Sequence, residues 1–141
     1  MANIWDFPAK GKVIEVRGSL IVFHPANTTY DLYLAGDAYS GPLNTPVEIL
    51  VRAKGRKLWT VPSGGNFIAP ITGTPRTIQG RVRFIQDQTI VVQAGVPVAI
   101  TLPANDSGID LSTGAIGIGS LVNAMVMPGV SYELAGAASP T

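Results

Sequence analysis

The densest group of potentially functional side chains is a basic stretch that ends on an aromatic residue, Arg52-Ala53-Lys54-Gly55-Arg56-Lys57-Leu58-Trp59. Cations attract phosphate groups, and an aromatic ring offers a surface on which a nucleic-acid base stacks. The sequence predicts that this stretch forms a tight turn around Gly55 between two strands. An ordinary solvated turn, with Trp59 in the core, is the competing interpretation. The candidate ligand-binding residues are Arg52, Lys54, Arg56, Lys57 and Trp59.

His24 is the one histidine of the chain, and cysteine is absent. Without cysteine, disulfides, thiolate nucleophiles, zinc–thiolate sites and iron–sulfur clusters are excluded. A Ser-His-Asp arrangement would have to be built around His24, which follows Phe23 at a predicted strand end with no acid at a recognisable spacing. We therefore predict that His24 forms a local hydrogen bond. We also predict no catalytic residues, no cofactor and no enzymatic activity.

Oxygen-bearing side chains alternate around a glycine in Asn105-Asp106-Ser107-Gly108-Ile109-Asp110. Such a pattern is compatible with calcium, but it lacks the third acidic position and the closing glutamate of an EF-hand loop. The same residue types are favoured in any turn. We predict no metal site, and calcium at this loop stays open as the alternative.

These side chains must be positioned by β-strands. The 16 Gly and 11 Pro residues interrupt the chain too often for a long amphipathic helix. Short runs of alternating polar and apolar residues lie between the interruptions and predict strands. The predicted strands are 11–17, 20–25, 29–35, 46–53 and 57–62, then 80–86, 89–94, 97–103, 120–127 and 130–135.

The two sets of five strands form an internal repeat. Residues 11–16 align with 80–85, and residues 47–51 align with 122–126. In the intervening strand, Leu32 and Leu34 align with Ile100 and Leu102, and in the closing strand Trp59 aligns with Tyr132. The predicted organisation is an N-terminal arm over 1–10, repeats over 11–62 and 80–135, a linker over 63–79 and a tail over 136–141.

Five strands with a long connection after the third resemble the OB-like small β-barrel. The resemblance implies an all-β chain of two tandem five-stranded OB-like small β-barrels. It also implies a binding module for single-stranded nucleic acid or oligosaccharide. Neither long connection, 35–45 or 103–119, has the helix that commonly plugs such barrels. A single β-sandwich built from both halves is the alternative fold.

Charged residues make up 13% of the chain, hydrophobic residues 46%, and the net charge is +1. This composition excludes a disordered chain and argues against a dedicated binder of phosphate backbones. A chain rich in Gly, Ala, Thr and Val with few reactive side chains resembles phage or virus capsid decoration (cement) proteins. That resemblance implies a structural protein that assembles with itself, for example as a trimer, or with a larger protein shell.

Apolar residues near the N-terminus and in the second repeat are the predicted subunit contacts: Ile4, Trp5, Phe7, Met125, Met127 and Val130. Because no run of 18 apolar residues exists, no membrane partner is expected. Residues 1–10 do not resemble a secretion signal, so the expected location is a virion or the cytoplasm. Nucleic acid is the less favoured partner.

Overall fold

A computed structural model describes residues 3–36, 39–102 and 116–134 of the chain. These residues form an all-β structure, which confirms the predicted class, with one 3-10 turn at Ile4–Asp6. The strands are β1 Ala9–Arg17, β2 Leu20–Pro25, β3 Asp31–Ala35, β4 Pro46–Thr60, β5 Phe67–Ala69, β6 Thr72–Gly73, β7 Thr77–Gln86, β8 Thr89–Gln93, β9 Pro97–Thr101, β10 Leu121–Val126 and β11 Ser131–Leu134. The 105–110 loop and the 136–141 tail lie outside the described residues.

The 15-residue strand β4 organises the sheet. Along one edge it pairs first with β1, antiparallel, and then with β9, parallel. Along the other edge it pairs with β11 and then with β10, both antiparallel. Because Met127 N–H donates to Lys54 O at 2.8 Å, β10 and β11 follow one another along the same edge.

Strand pairing returns to β4 by two closed routes. The first circuit runs β1–β2–β3–β11 and back to the first half of β4. The second circuit runs β7–β8–β9, the second half of β4, then β10 and back to β7. Each circuit therefore takes one strand from the other repeat: β11 completes the first, and the second half of β4 completes the second.

The predicted tight turn around Gly55 is wrong. The predicted strands 46–53 and 57–62 are one continuous strand, and Gly55 lies inside it. A Cβ built on Gly55 would lie 3.2 Å from Cγ2 of Ile100 on β9. The glycine is therefore explained by close packing against a neighbouring strand, which gives the same sequence signal as a turn.

The two repeats share backbone features at aligned positions. A Cβ on Gly11 would lie 2.3 Å from His24 O, and one on Gly80 would lie 2.0 Å from Gln93 O. The registers of β1–β2 and β7–β8 also shift at the same place, after Val13 and after Val82. The close approach and the bulge recur 69 residues apart, which is the spacing of the sequence alignment.

The alignment of the third strands is wrong by two residues. Ile21 pairs with Leu34, and its counterpart Ile90 pairs with Ile100. Leu34 therefore corresponds to Ile100, where the sequence suggested Leu102. A shift of two residues keeps every side chain on the same face of a strand, so the burial pattern does not reveal it.

The segment assigned to a linker, 63–79, carries β5, β6 and the first residues of β7. β5 pairs with β7, β6 pairs with β3, and Ile68 is buried. The principal core is one cluster that joins both circuits; it includes Phe23, Leu32, Ile49, Leu58, Ile78 and Ile100. Among the described residues there is no helix of the length and apolar character needed to cross a membrane.

Candidate functional site

Four of the five predicted ligand-binding residues lie in a row on the outer side of β4. Their neighbours Ala53, Gly55 and Leu58 alternate with them and are buried beneath the sheet. Strand alternation therefore turns the polar side chains outward. The exposed residues of the row are Lys54, Arg56, Lys57 and Trp59.

A β-bulge places two cations side by side in this row. Lys57 pairs with Met125, and Gly55 pairs with Val126, so Arg56 has no partner across the strands. A bulge leaves the extra residue unpaired and bends the strand. Arg56 and Lys57 are consecutive and both exposed.

Two predicted subunit-contact residues lie on the same side. Met125 is directly opposite Lys57, so their side chains share a face. Met125 is 38% exposed and Met127 44% exposed. Arg76, which precedes β7, lines a depression together with Arg56 and Met125. We call this surface the basic face; it comprises Lys54, Arg56, Lys57, Trp59, Arg76, Met125 and Met127.

Two depressions flank the turn at Pro128 and Gly129. The larger, about 720 Å³, lies between Arg56, Arg76 and Met125. The smaller, about 380 Å³, lies beside Arg52, Lys54 and Glu133. Gly129 has a φ of +89°, as the sequence requires for the second central residue of a Pro-Gly turn.

The basic face is electrostatically unbalanced. Arg52 is neutralised, since its Nη1 donates to Glu133 Oε2 at 2.9 Å. Within the described part of the chain, no carboxylate lies within ion-pair distance of Lys54, Arg56, Lys57 or Arg76. Arg76 was not identifiable from the sequence, because it is separated by 20 residues from Arg56 and only the fold brings the two together.

Trp59 is not a core residue, contrary to the competing interpretation of the basic stretch. It is 39% exposed and lies opposite Asn123 on β10. Tyr132, with which the sequence aligned it, lies opposite Val51 and is buried. The two aromatic residues therefore occupy different positions, and the alignment of the closing strands is wrong.

Two amide side chains continue across the sheet from Trp59, Asn123 on β10 and Gln79 on β7. Asn123 Nδ2 donates to Gln79 Oε1 at 2.9 Å, and Gln79 Nε2 donates to Gly65 O at 2.9 Å. Asn123 Oδ1 is buried and has no hydrogen-bond partner among the described residues. This network ties β10, β7 and the 64–65 segment together beside the indole.

The remaining predicted subunit-contact residues pack against other residues of the same chain. Ile4, Trp5 and Phe7 are half-buried and pack on a second apolar cluster formed by Leu50, Val91, Ala99 and Phe84. The rings of Phe7 and Phe84 stack with centroids 5.3 Å apart. Val130 is 1% exposed and belongs to the principal core, so it is not a surface residue.

His24 has an acidic partner that its sequence neighbourhood did not reveal. Its Nδ1 lies 2.9 Å from Asp31 Oδ1, because the β2–β3 hairpin returns the chain to it. Both side chains are about one-third exposed. His24 borders a hollow of about 520 Å³, and no hydroxyl or thiol side chain is found among the described residues that line it.

Metal ligands do not cluster in the described ranges: no group of three or more His, Asp or Glu side chains is close enough to hold an ion there. The 105–110 loop lies outside those ranges. No protein-family model matches the chain, and no curated protein is detectably similar to it in sequence. The basic face and the hollow beside His24 are the two candidate sites of the described residues.

Proposed function

We propose that this protein is a non-enzymatic binding module whose basic face binds single-stranded nucleic acid. In this proposal the two pairing circuits are two OB-like barrels that share β4. The observation that carries the proposal is that four cations, with no carboxylate partner among the described residues, and an exposed tryptophan lie together on one outer face.

The strand connectivity supports the OB-like interpretation. In the first circuit β1, β2 and β3 are antiparallel, β3 is parallel to β11, and β4 is antiparallel to β1. The second circuit repeats this pattern with β7, β8 and β9, the second half of β4, and β10. A closed ring protects strand edges, which is one reason why small all-β units adopt it.

The unpaired cations favour nucleic acid over the other polymers considered. An oligosaccharide offers no negative charge to Lys54, Arg56 or Lys57 unless it is acidic. Single-stranded nucleic acid combines phosphates with bases that stack on exposed aromatic rings, and Trp59 supplies such a ring. Base–aromatic stacking contributes about 1–3 kcal/mol per base.

The length of the row suits a short segment of a single strand. Since the bulge adds one residue, the row from Lys54 to Trp59 covers about four strand steps, or about 13 Å at roughly 3.3 Å per residue. One strand of stacked nucleotides advances about 3.4 Å per phosphate, so the row accommodates about four nucleotides. Duplex DNA hides its base faces, so Trp59 favours the single strand.

Assembly through protein contacts is the second candidate function. The exposure of Met125 and Met127 favours it, because methionine side chains adapt to many apolar partners. In this case the protein would be a non-enzymatic component of a homo-oligomer or of a larger shell such as a virion. A symmetric contact between two basic faces is disfavoured, since it would bring the unpaired cations of both copies together.

The experiment that tests nucleic-acid binding is fluorescence anisotropy with a labelled oligothymidine of about ten nucleotides. The triple variant Lys54→Gln, Arg56→Gln, Lys57→Gln removes three charges from the basic face. The matched control, Lys10→Gln, Lys12→Gln, Arg81→Gln, removes three charges elsewhere.

We expect the basic-face triple variant to lose more than tenfold in affinity and the control triple variant to lose less than threefold, since local contacts outweigh net charge. Equal losses in both variants, or no binding by the wild type at low salt, would refute nucleic-acid binding. Light scattering on the same samples tests assembly. A stable oligomer that Met125→Ser and Met127→Ser convert to a monomer would favour the second function.

A further inference from the structure

We infer that the hollow beside His24 is a separate binding site for a small molecule that carries an anionic group on an apolar body. The hollow lies where β1, the end of β2 and the start of β4 meet. Its volume of about 520 Å³ falls in the range of small-molecule pockets in proteins. This inference does not depend on the basic face or on nucleic-acid binding.

Two ammonium groups dominate the charge of the hollow. Lys10 and Lys12 are two residues apart on β1, both exposed, so their side chains rise from the same side of the strand about 7 Å apart. Neither makes an ion pair with a described residue. An anion placed between them would satisfy both, which is the charge complementarity that the site offers.

The other polar groups lie on either side of the two lysines. Lys12 pairs with His24, whose imidazole is held through Nδ1 by Asp31 at 2.9 Å. Lys10 pairs with Glu48, but the two charged ends are not within ion-pair distance. Glu48 therefore stays available to accept a hydrogen bond from a donor on the ligand.

Apolar groups between these side chains contribute the contact area for the ligand body. The hollow is lined by Gly11, Ala26, Pro46 and Val47 in addition to the polar residues. Gly11 lets β1 approach β2 closely at this hollow, because a Cβ there would lie 2.3 Å from His24 O. Sites for small molecules typically combine such an apolar lining with a few convergent polar groups.

The second circuit provides an internal comparison. The positions that correspond to Lys10, Lys12 and Glu48 are Gln79, Arg81 and Asn123, by the shared register of the two repeats. There the side chains are engaged within the protein: Gln79 bonds to Asn123 and to Gly65 O, and Arg81 donates to Gly119 O. The second circuit closes this position with its own chain, whereas the first circuit leaves it open and charged.

The test uses two dyes that differ chiefly in charge. 8-Anilinonaphthalene-1-sulfonate carries a sulfonate on an apolar body, and N-phenyl-1-naphthylamine has almost the same body without it. Both fluoresce more strongly in an apolar site. Titration of the folded wild type with each dye measures affinity, and calorimetry measures the number of sites.

We expect one sulfonate-dye site, with at least fivefold weaker binding of the neutral dye. Lys10→Gln with Lys12→Gln should weaken the sulfonate dye at least fivefold and leave the neutral dye unchanged. Glu48→Gln should strengthen the sulfonate dye about twofold or more, since it removes a negative charge from the rim. Opposite signs at Lys10 and Glu48 are expected if both line the dye site, and the control variant below separates this result from nonspecific adsorption.

Arg81→Gln with Arg83→Gln is the matched control, because it removes the same charge from β7 in the second circuit, outside both proposed sites. If this control weakens the sulfonate dye as much as the Lys10 and Lys12 variant does, the site lies elsewhere and the inference is wrong. Equal affinity for the two dyes, or no binding of either, also overturns it. Each variant is checked by thermal unfolding, so that a loss of dye binding in a folded protein is attributable to the hollow.

Discussion

The two halves of β4 present their outer sides to very different surroundings. In the first half, Leu50 is covered by the N-terminal arm, and Arg52 is paired with Glu133. In the second half, Lys54, Arg56 and Lys57 have no carboxylate partner in the described ranges, and Trp59 is partly exposed. The outer side of β4 is thus covered or ion-paired in its first half, whereas in its second half it is exposed and its cations have no carboxylate partner among the described residues.

This difference indicates where an external partner would bind. Apolar side chains that form a contiguous surface are usually covered within the monomer unless they bind a partner. The arm does this for the first half, since the Phe7 ring stacks on Phe84 and lies 5.4 Å from the guanidinium carbon of Arg83. The second half lacks an equivalent cover among the described residues, so it is the part of β4 on which binding is expected to depend.

The largest expected effect is a loss of stability when β7 and β8, which belong to the same circuit as the second half of β4, are forced apart. Gly80→Ala would place a Cβ 2.0 Å from Gln93 O, which forces strands β7 and β8 apart. We expect a loss of about 3 kcal/mol in the free energy of unfolding, measured by urea denaturation. Gly117→Ala is the control, because a Cβ there meets no atom within 4 Å; equal losses in the two variants would contradict the close-packing explanation.

Weakening the contact of the N-terminal arm with the first half of β4 should reduce stability less than Gly80→Ala does. It should leave oligothymidine binding intact. Phe7→Ala deletes a half-buried ring that stacks on Phe84, so we expect a loss of about 1–2 kcal/mol, less than for a fully buried Phe. Oligothymidine affinity should stay within twofold of wild type. A larger fall in affinity would show that the arm contributes to the binding surface and would weaken the contrast between the halves.

Substitutions on the second half of β4 should reduce oligothymidine affinity and leave stability nearly unchanged. Trp59→Leu is expected to reduce oligothymidine affinity about tenfold through lost stacking, with a stability change below about 1 kcal/mol because the ring is partly exposed. Trp59→Phe, which keeps an aromatic face, should recover most of the affinity. If both variants bind as the wild type does, Trp59 takes no part in recognition.

The smallest expected effect lies away from both halves, at Glu15 on β1. A hydrogen bond from Arg17 lowers the pKa of the Glu15 carboxyl below its ordinary value of 4.5. Its small contribution to stability is therefore present above that value and is lost as the pH falls through the lowered pKa. The urea midpoints of wild type and Glu15→Gln should differ slightly near neutral pH and converge in acid; a difference that grows in acid would contradict this.

The sequence predicts local strand positions well because alternation and turn residues act over a few residues. β2, β7, β8 and β10 lie close to their predicted ranges, and the aligned glycines Gly11 and Gly80 share one structural role. The exchange of strands between the circuits was not predictable in this way. In the sequence, Gly55 is typical of a turn. Its close contact with Ile100 on β9 explains why a glycine lies within a continuous strand.

The candidate sites show the same limit of sequence-based prediction, because strand pairing brings together residues that are distant in the sequence. The row from Lys54 to Trp59 was identifiable because its residues are neighbours in the sequence. Arg76 and Asp31 were not identifiable as members of a site, since β-sheet pairing brings them to Arg56 and His24. Alternation within one strand predicts which side chains point outward, but it does not indicate which other strand will lie beside them.

The most direct test of the binding proposal is the salt dependence of oligothymidine affinity in single-charge variants. If the four unpaired cations contact phosphates, log Kobs should fall with log [salt] with a slope of about −2.8 for wild type, at about 0.7 per contact. Arg56→Gln or Arg76→Gln should reduce the slope to about −2.1, whereas Lys10→Gln should leave it unchanged. A wild-type slope near zero, or an equal change for Lys10→Gln, would show that the basic face of β4 is not where the polymer binds.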